Sequence, residues 1–195
     1  MNPIFRIFSL LALVGFASAF ACGQGTETAK PNTNKHISSK FDKGKDRTMV
    51  KLKAMPLTGL GDERKTVTAV ASHQMDVEAS FSYPGQAVTA QIAELELRFH
   101  VTAGAYLFLK PQQIVLALDQ GTEQGRAIDL GFSNYKSSVQ FNSVYEEFMN
   151  LTIPFTALDK MTKAKKVEIY VGPVVYQLKN EQIQDLRDFG SKMLP

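Results

Sequence analysis

Along most of this chain apolar and polar residues alternate one for one, the signature of strands that bury one face and wet the other. The cleanest run sets Met75, Val77, Ala79, Phe81 and Tyr83 against Asp76, Glu78, Ser80 and Ser82, and the turn signal Pro84-Gly85 ends it. Leu95, Leu97, Phe99 and Val101 repeat the pattern opposite Glu94, Glu96, Arg98 and His100. Val50, Leu52 and Ala54 alternate with Lys51 and Lys53 until Pro56 and Gly59-Leu60-Gly61-Asp62 break the run. Further strands are expected at 106–109, 114–118, 127–132 and 148–153, with Asp119-Gln120-Gly121 a turn. The stretches 167–171 and 174–178 flank Gly172-Pro173 and read as a hairpin.

Two stretches carry a helical pattern instead. Thr156 to Ala164 reads as a short helix capped by Thr156, with Asp159 where a capping box more often has Glu. Asn180 can cap a final helix near 180–193, in which Ile183, Leu186, Phe189 and Met193 form one stripe at spacings of three and four. That stripe demands a surface to dock on. Many short strands with two helices predict a mainly β fold, an antiparallel β-sandwich or open barrel with a C-terminal helix. Residues 45–195 are long enough for a single β-rich domain with its own core.

The N-terminus has a different grammar. Arg6 precedes an apolar run from Ile7 to Ala21, which reads as a signal peptide over residues 1–21. As a helix of ~1.5 Å per residue the run would span roughly 22 Å, short of the ~30 Å hydrocarbon core, so an uncleaved anchor is the weaker alternative. Ala17-Ser18-Ala19 and Ala19-Phe20-Ala21 both fit secretory cleavage, whereas Ala19-Phe20-Ala21-Cys22 resembles a bacterial lipobox, departing from it at Ala19 and Phe20. Cys22 is the only cysteine, so it cannot staple its own chain, and its position points to acylation. Gly23, in place of Asp, favours an outer-membrane or periplasm-facing lipoprotein, while plain secretion or a soluble periplasmic form stays open. Residues 22–44 are rich in Gly, Thr, Asn, Ser, Lys and Pro and are expected to be a flexible tether.

Charge removes one partner class. The formal net charge of +3 belongs to the signal and the tether, and residues 48–195 are net −1. A nucleic-acid binder concentrates cations on its folded surface, so no nucleic acid is expected. The basic tether could lie against anionic lipid headgroups.

Candidate chemistry is sparse. His73 and His100 are the histidines expected within the domain. His73, in Ser72-His73-Gln74, could pair with a serine and a carboxylate, but no Gly-x-Ser-x-Gly elbow accompanies it. His100 shares a strand face with Glu94, Glu96 and Arg98 and reads as solvated. Asp42-Lys43-Gly44-Lys45-Asp46 fails as a calcium loop, because Gly takes a ligand position and no Glu stands at the twelfth. Zinc would need clustered His and Cys ligands, and no cofactor motif occurs. Glu146-Glu147 and Asp62-Glu63 are expected at solvent edges or in loops. Phe81, Tyr83, Phe99, Phe108, Phe132, Phe148 and Tyr170 are expected in the core, and Tyr135 and Tyr145 at exposed contacts.

The run Phe41-Asp42-Lys43-Gly44-Lys45-Asp46-Arg47-Thr48-Met49-Val50, the central β segment, and the ending Val171-Gly172-Pro173-Val174-Val175-Tyr176-Gln177-Leu178 with its following helix resemble a group of uncharacterised bacterial exported proteins. The resemblance covers most of residues 41–193 and implies export, a β-rich domain and a C-terminal helix, with no activity or catalytic residues. Two functional classes follow. The first is an exported, lipid-anchored cell-envelope protein whose noncatalytic β domain binds a protein or glycan partner or supports an assembly. The second is a secreted hydrolase in which Asp76, Glu78, Glu94 or Glu96 converges with His100 only in the fold; a concave pocket would favour it and a flat charged face would oppose it.

Overall fold

The period-two alternation is realised as two antiparallel sheets that share one core and do not close into a barrel. The computed structural model describes residues 34–60, 73–140 and 143–195. The expected signal segment, Cys22, most of the expected tether and Asp62-Glu63 lie outside the described residues. In chain order the elements are β1 (Ile37–Asp42), β2 (Arg47–Pro56), β3 (Thr58–Leu60), β4 (Gln74–Pro84), β5 (Glu94–Ala103), β6 (Gln113–Leu118), β7 (Arg126–Phe132), β8 (Asn134–Val139), β9 (Tyr145–Pro154), α1 (Phe155–Lys163), β10 (Val167–Val171), β11 (Val174–Gln177) and α2 (Asn180–Ser191). A six-stranded sheet runs β1-β2-β4-β5-β9-β8 and a five-stranded sheet β3-β11-β10-β6-β7. Among the described residues no helix is long and apolar enough to cross a membrane.

The inward faces follow the sequence pattern closely. Met75, Val77, Ala79 and Phe81 on β4 meet Leu95, Leu97, Phe99 and Val101 on β5 and Met149, Leu151 and Ile153 on β9, all buried. The five-stranded sheet adds Ile114, Leu116, Leu118, Val167, Ile169, Val171 and Tyr176 to the same core. The helical stripe Ile183, Leu186, Phe189 and Met193 is buried as well, and the Phe189 ring meets Phe81 edge-on at 5.1 Å. Gly190 permits this docking, because a Cβ there would stand 3.3 Å from Leu158 Cδ2 of α1.

Several boundaries differ from the sequence reading, each for a local reason. Residues 37–42, expected in the tether, form β1, an edge strand paired with β2 from Ile37↔Leu52 to Asp42↔Arg47. Asp42–Asp46 is therefore a hairpin turn, in which Asp42 Oδ1 accepts the Gly44 N–H at 2.9 Å. A bulge between Leu52 and Met55 shifts the phase of β2, so Met55 is buried where Ala54 was expected. Helix α1 starts at Phe155, whose N–H bonds Ala93 O at 2.7 Å, and Thr156 caps nothing. Helix α2 starts at Asn180, and the Gln182 side chain accepts the Lys179 N–H at 2.8 Å, replacing the expected Asn180 cap.

Phe132 also leaves the core. In the β6–β7 ladder Ile114 pairs with Gly131 and Val115 with Asp129, so Leu130 is an extra residue in a bulge. Gly131 supplies the φ of 87° that this bulge requires. The extra residue flips the alternation, and Phe132 emerges on the outer face, 72% exposed. The chain then crosses to the other sheet through one residue, buried Ser133, tied to Gln112 by backbone and hydroxyl bonds of 2.9–3.2 Å.

Candidate functional site

Antiparallel register assembles the polar positions of β4, β5, β9 and β8 into cross-strand rows on the outer face of the six-stranded sheet. Asp76, His100, Phe148 and Lys136 form one row; Glu78, Arg98, Asn150 and Asn134 form the next; Ser80, Glu96 and Thr152 form a third. Phe148, expected in the core, sits at the centre of this face. Its phase on β9 is opposite to that of buried Met149 and Leu151. The Arg98 guanidinium lies 4.5 Å from the Phe148 ring centre, and the His100 ring stacks on Phe148 at 4.6 Å with planes 9° apart. A cation over an aromatic face contributes roughly 0.5–1 kcal/mol at exposed sites.

Glu146 Oε1 lies 3.4 Å from His100 Nε2, an electrostatic contact without hydrogen-bond alignment. Glu146 itself accepts Gln140 Nε2 at 2.7 Å and Ser138 Oγ at 3.2 Å. The Gln140 amide, with help from Ser138 and His100, holds the Glu146 carboxyl below the usual carboxylate range despite some opposing desolvation. A hollow of 240 Å³ on the same face takes in Met49, Ser80, Ser82, Glu94, Glu96 and Thr152. His100 is not among its lining residues. The register thus brings Asp76 and Glu78 of β4 beside His100 and Arg98 of β5, two positions from Glu96, as an open ladder that lines no shared cavity among the described residues.

His73 has a different neighbour from the one a triad needs. Its Nε2 lies 2.9 Å from the Tyr176 hydroxyl, and the rings meet edge-on, 6.0 Å between centres. Burial lowers the His73 pKa and pushes the Tyr176 phenol up, with the charge of Glu147 adding to the second shift. A neutral imidazole accepting from a protonated phenol satisfies both groups.

Glu147 overturns its expected place at a solvent edge. It is 1% exposed, and its carboxylate accepts backbone N–H groups from Leu107 at 2.6 Å, Phe108 at 3.0 Å and Leu109 at 3.0 Å. The Tyr135 hydroxyl donates a further bond at 2.8 Å. Successive N–H groups turned inward, with Leu109 at φ 61°, make a nest around the anion. Residues 106–109 are consequently a loop wrapped on Glu147 and not the expected strand. Tyr135, expected as an exposed contact, is a donor to this buried acid; its phenol is pushed up mainly by burial. Tyr145 packs edge-on against Tyr106 at 4.6 Å. The signal for Glu147 was present: Met149, Leu151 and Ile153 point inward, and stepping back by two reaches Glu147.

One polar cluster had no signal in the sequence. Asn34 Nδ2 donates to Asp185 Oδ1 at 2.7 Å and to Asp188 Oδ2 at 3.1 Å, while His36 Nδ1 lies 2.8 Å from Asp185 Oδ2. These residues, assigned to the tether, are clipped to α2 across some 150 positions of sequence.

No protein-family model, curated protein or solved structure matches this chain. The functional reading therefore rests on its own residues.

Proposed function

We propose that this chain is an exported, lipid-anchored cell-envelope protein whose β domain acts by noncatalytic binding. The address rests on the sequence, in which the lone Cys22 follows a positively started apolar segment in a lipobox-like setting. Two acyl chains hold a protein on a bilayer stably, at about 0.8 kcal/mol per buried methylene. The occupation rests on the open ladder of Asp76, Glu78, Glu96, Arg98 and His100 with Phe148 at its centre. Such a face offers charge and an aromatic platform to a partner, and it spreads these groups along strands where acid–base catalysis needs them converged.

The decisive experiment is mass spectrometry of the mature N-terminus with metabolic labelling by a fatty-acid analogue. Label on a chain beginning at Cys22, lost in Cys22→Ser, supports the anchor. Cleavage elsewhere, or an unmodified Cys22, overturns it. In-cell crosslinking from Lys136, with Arg98→Ala as the comparison, tests whether the charged ladder engages a partner: a product weakened by the substitution supports the binding reading.

A further inference from the structure

The outer face of the five-stranded sheet has a chemistry unlike that of the other sheet. Outward positions of β6, β7 and β10, with Gln120 and Gly172 from the adjoining turns, line an open trough of 480 Å³, within the ~300–1,000 Å³ of small-ligand sites. Val115, Ala117 and Ala127 line it together with Tyr170, which is 36% exposed, and Gln113 and Gln120 are its polar lining residues. Tyr170, expected in the core, is outward because its phase on β10 is that of Glu168, opposite to buried Ile169 and Val171.

No ionised side chain lines the trough. The acids beside it are already engaged. Asp129 accepts Gln113 Nε2 at 2.8 Å and the Gly131 N–H at 2.8 Å, and Glu168 pairs with Lys166 Nζ at 2.7 Å. An anionic ligand would lose hydration here and meet the Asp129 carboxylate beside the trough, and a cation would have to compete with the two bonds that Asp129 already accepts. An acyl chain would cover the amides and leave them unpaired. The Asp129 bond also fixes Gln113 through its Nε2, no described side chain or backbone group donates to its Oε1, and a Gln120 amide has both a donor and an acceptor.

We infer that this trough binds an uncharged saccharide, one sugar ring stacking its C–H face on Tyr170 while neighbouring hydroxyls bond the Gln113 and Gln120 amides. A pyranose presents this combination, a flat apolar face edged by hydroxyls that each donate and accept. The small lining residues let a ring approach the sheet, and exposed Phe132, paired with Gln113 in the ladder, extends the aromatic surface along one end. The inference deepens the noncatalytic-binding reading and rests on it for its context.

The test titrates the mature full chain with neutral trisaccharides of N-acetylglucosamine, glucose and mannose, and with a galacturonic acid trimer as the anionic control, followed by amide chemical shifts. A neutral trimer should shift Val115, Ala117 and Tyr170. Tyr170→Ala should weaken it about tenfold or more, Tyr170→Phe should keep it, and Lys192→Ala, exposed just beyond α2, should leave it unchanged. Tyr170→Phe and Gln113→Ala keep the test valid should the alanine variant at 170 fail to fold. The proposal is overturned if no neutral trimer shifts these amides at millimolar concentration, if the anionic trimer binds better, or if the trough is buried in a self-dimer. Binding followed by release of new reducing ends would support the saccharide site and sink the noncatalytic reading. Silent sugars with intact crosslinking from the charged ladder would do the reverse.

Discussion

The two outer faces of this molecule are built by the same alternation and end up chemically opposite. On the six-stranded sheet the outward residues are Asp76, Glu78, Glu94, Glu96, Arg98 and His100, with one aromatic, Phe148, under the guanidinium and the imidazole. On the five-stranded sheet they are Gln113, Val115, Ala117, Ala127 and Tyr170 with Phe132, and of the nearby acids Asp129 is hydrogen-bonded and Glu168 is paired with Lys166. Alternation alone says only that one side of a strand faces away from the core. Which partner each outward side suits depends on what the neighbouring strands place beside it.

The sharpest way to break this contrast is to ask whether the outward aromatics are outward in solution. Phe99 is wholly buried and Phe132 is 72% exposed. Phe99→Ala should cost about 3–5 kcal/mol, as for other buried Phe truncations, whereas Phe132→Ala should stay within about 0.5 kcal/mol. Urea denaturation midpoints measure both. Equal losses would mean that the Gly131 bulge does not flip Phe132 and that the apolar face is smaller than described.

A second comparison uses adjacent residues of one strand. Glu147→Gln keeps the shape but removes the charge and puts an amide donor where three backbone N–H groups converge, so it should cost about 2–3 kcal/mol. Glu146→Gln, on the wet side, should leave the urea midpoint nearly unchanged. If the two variants behave alike, the inward and outward sides of β9 are wrongly assigned.

The smallest expected effect is on pH dependence, and it sets half-buried His73 apart from the open face. Burial lowers the folded-state pKa of His73, so the unfolded chain binds its proton first as pH falls through 6.5. Stability should therefore decline with acidification below that value. The raised phenol of Tyr176 acts at the other end: the unfolded chain ionises first above pH 10.0, and stability declines again. His73→Gln should flatten the acid limb specifically. A profile unchanged by that substitution would place its origin among the carboxylates.

Much of the fold was legible because periodicity reports burial directly. Strands β4 and β5 and the α2 stripe are as their spacing requires. What escaped was governed by insertions and by capture. A single extra residue at Leu130 reverses Phe132, and the bulge after Leu52 exchanges Ala54 for Met55. Residues 106–109 have strand composition, but the Glu147 carboxylate collects their N–H groups, and three bonds to an anion outweigh a ladder they do not join. The strands β1, β3 and β8 are short edges of mixed polarity, and a half-solvated edge leaves little periodic trace.

The sequence by itself determined the β class, the inward residues of the long strands and the docking stripe of the last helix. Each is written in local order or spacing, and burial reads such order without knowledge of distant residues. Only the tertiary structure decided which outward residues meet. The Arg98–Phe148–His100 stack, the clip of Asn34 and His36 to α2 and the Tyr170 trough join positions far apart in the chain, and their geometry exists only once strand order and register are set.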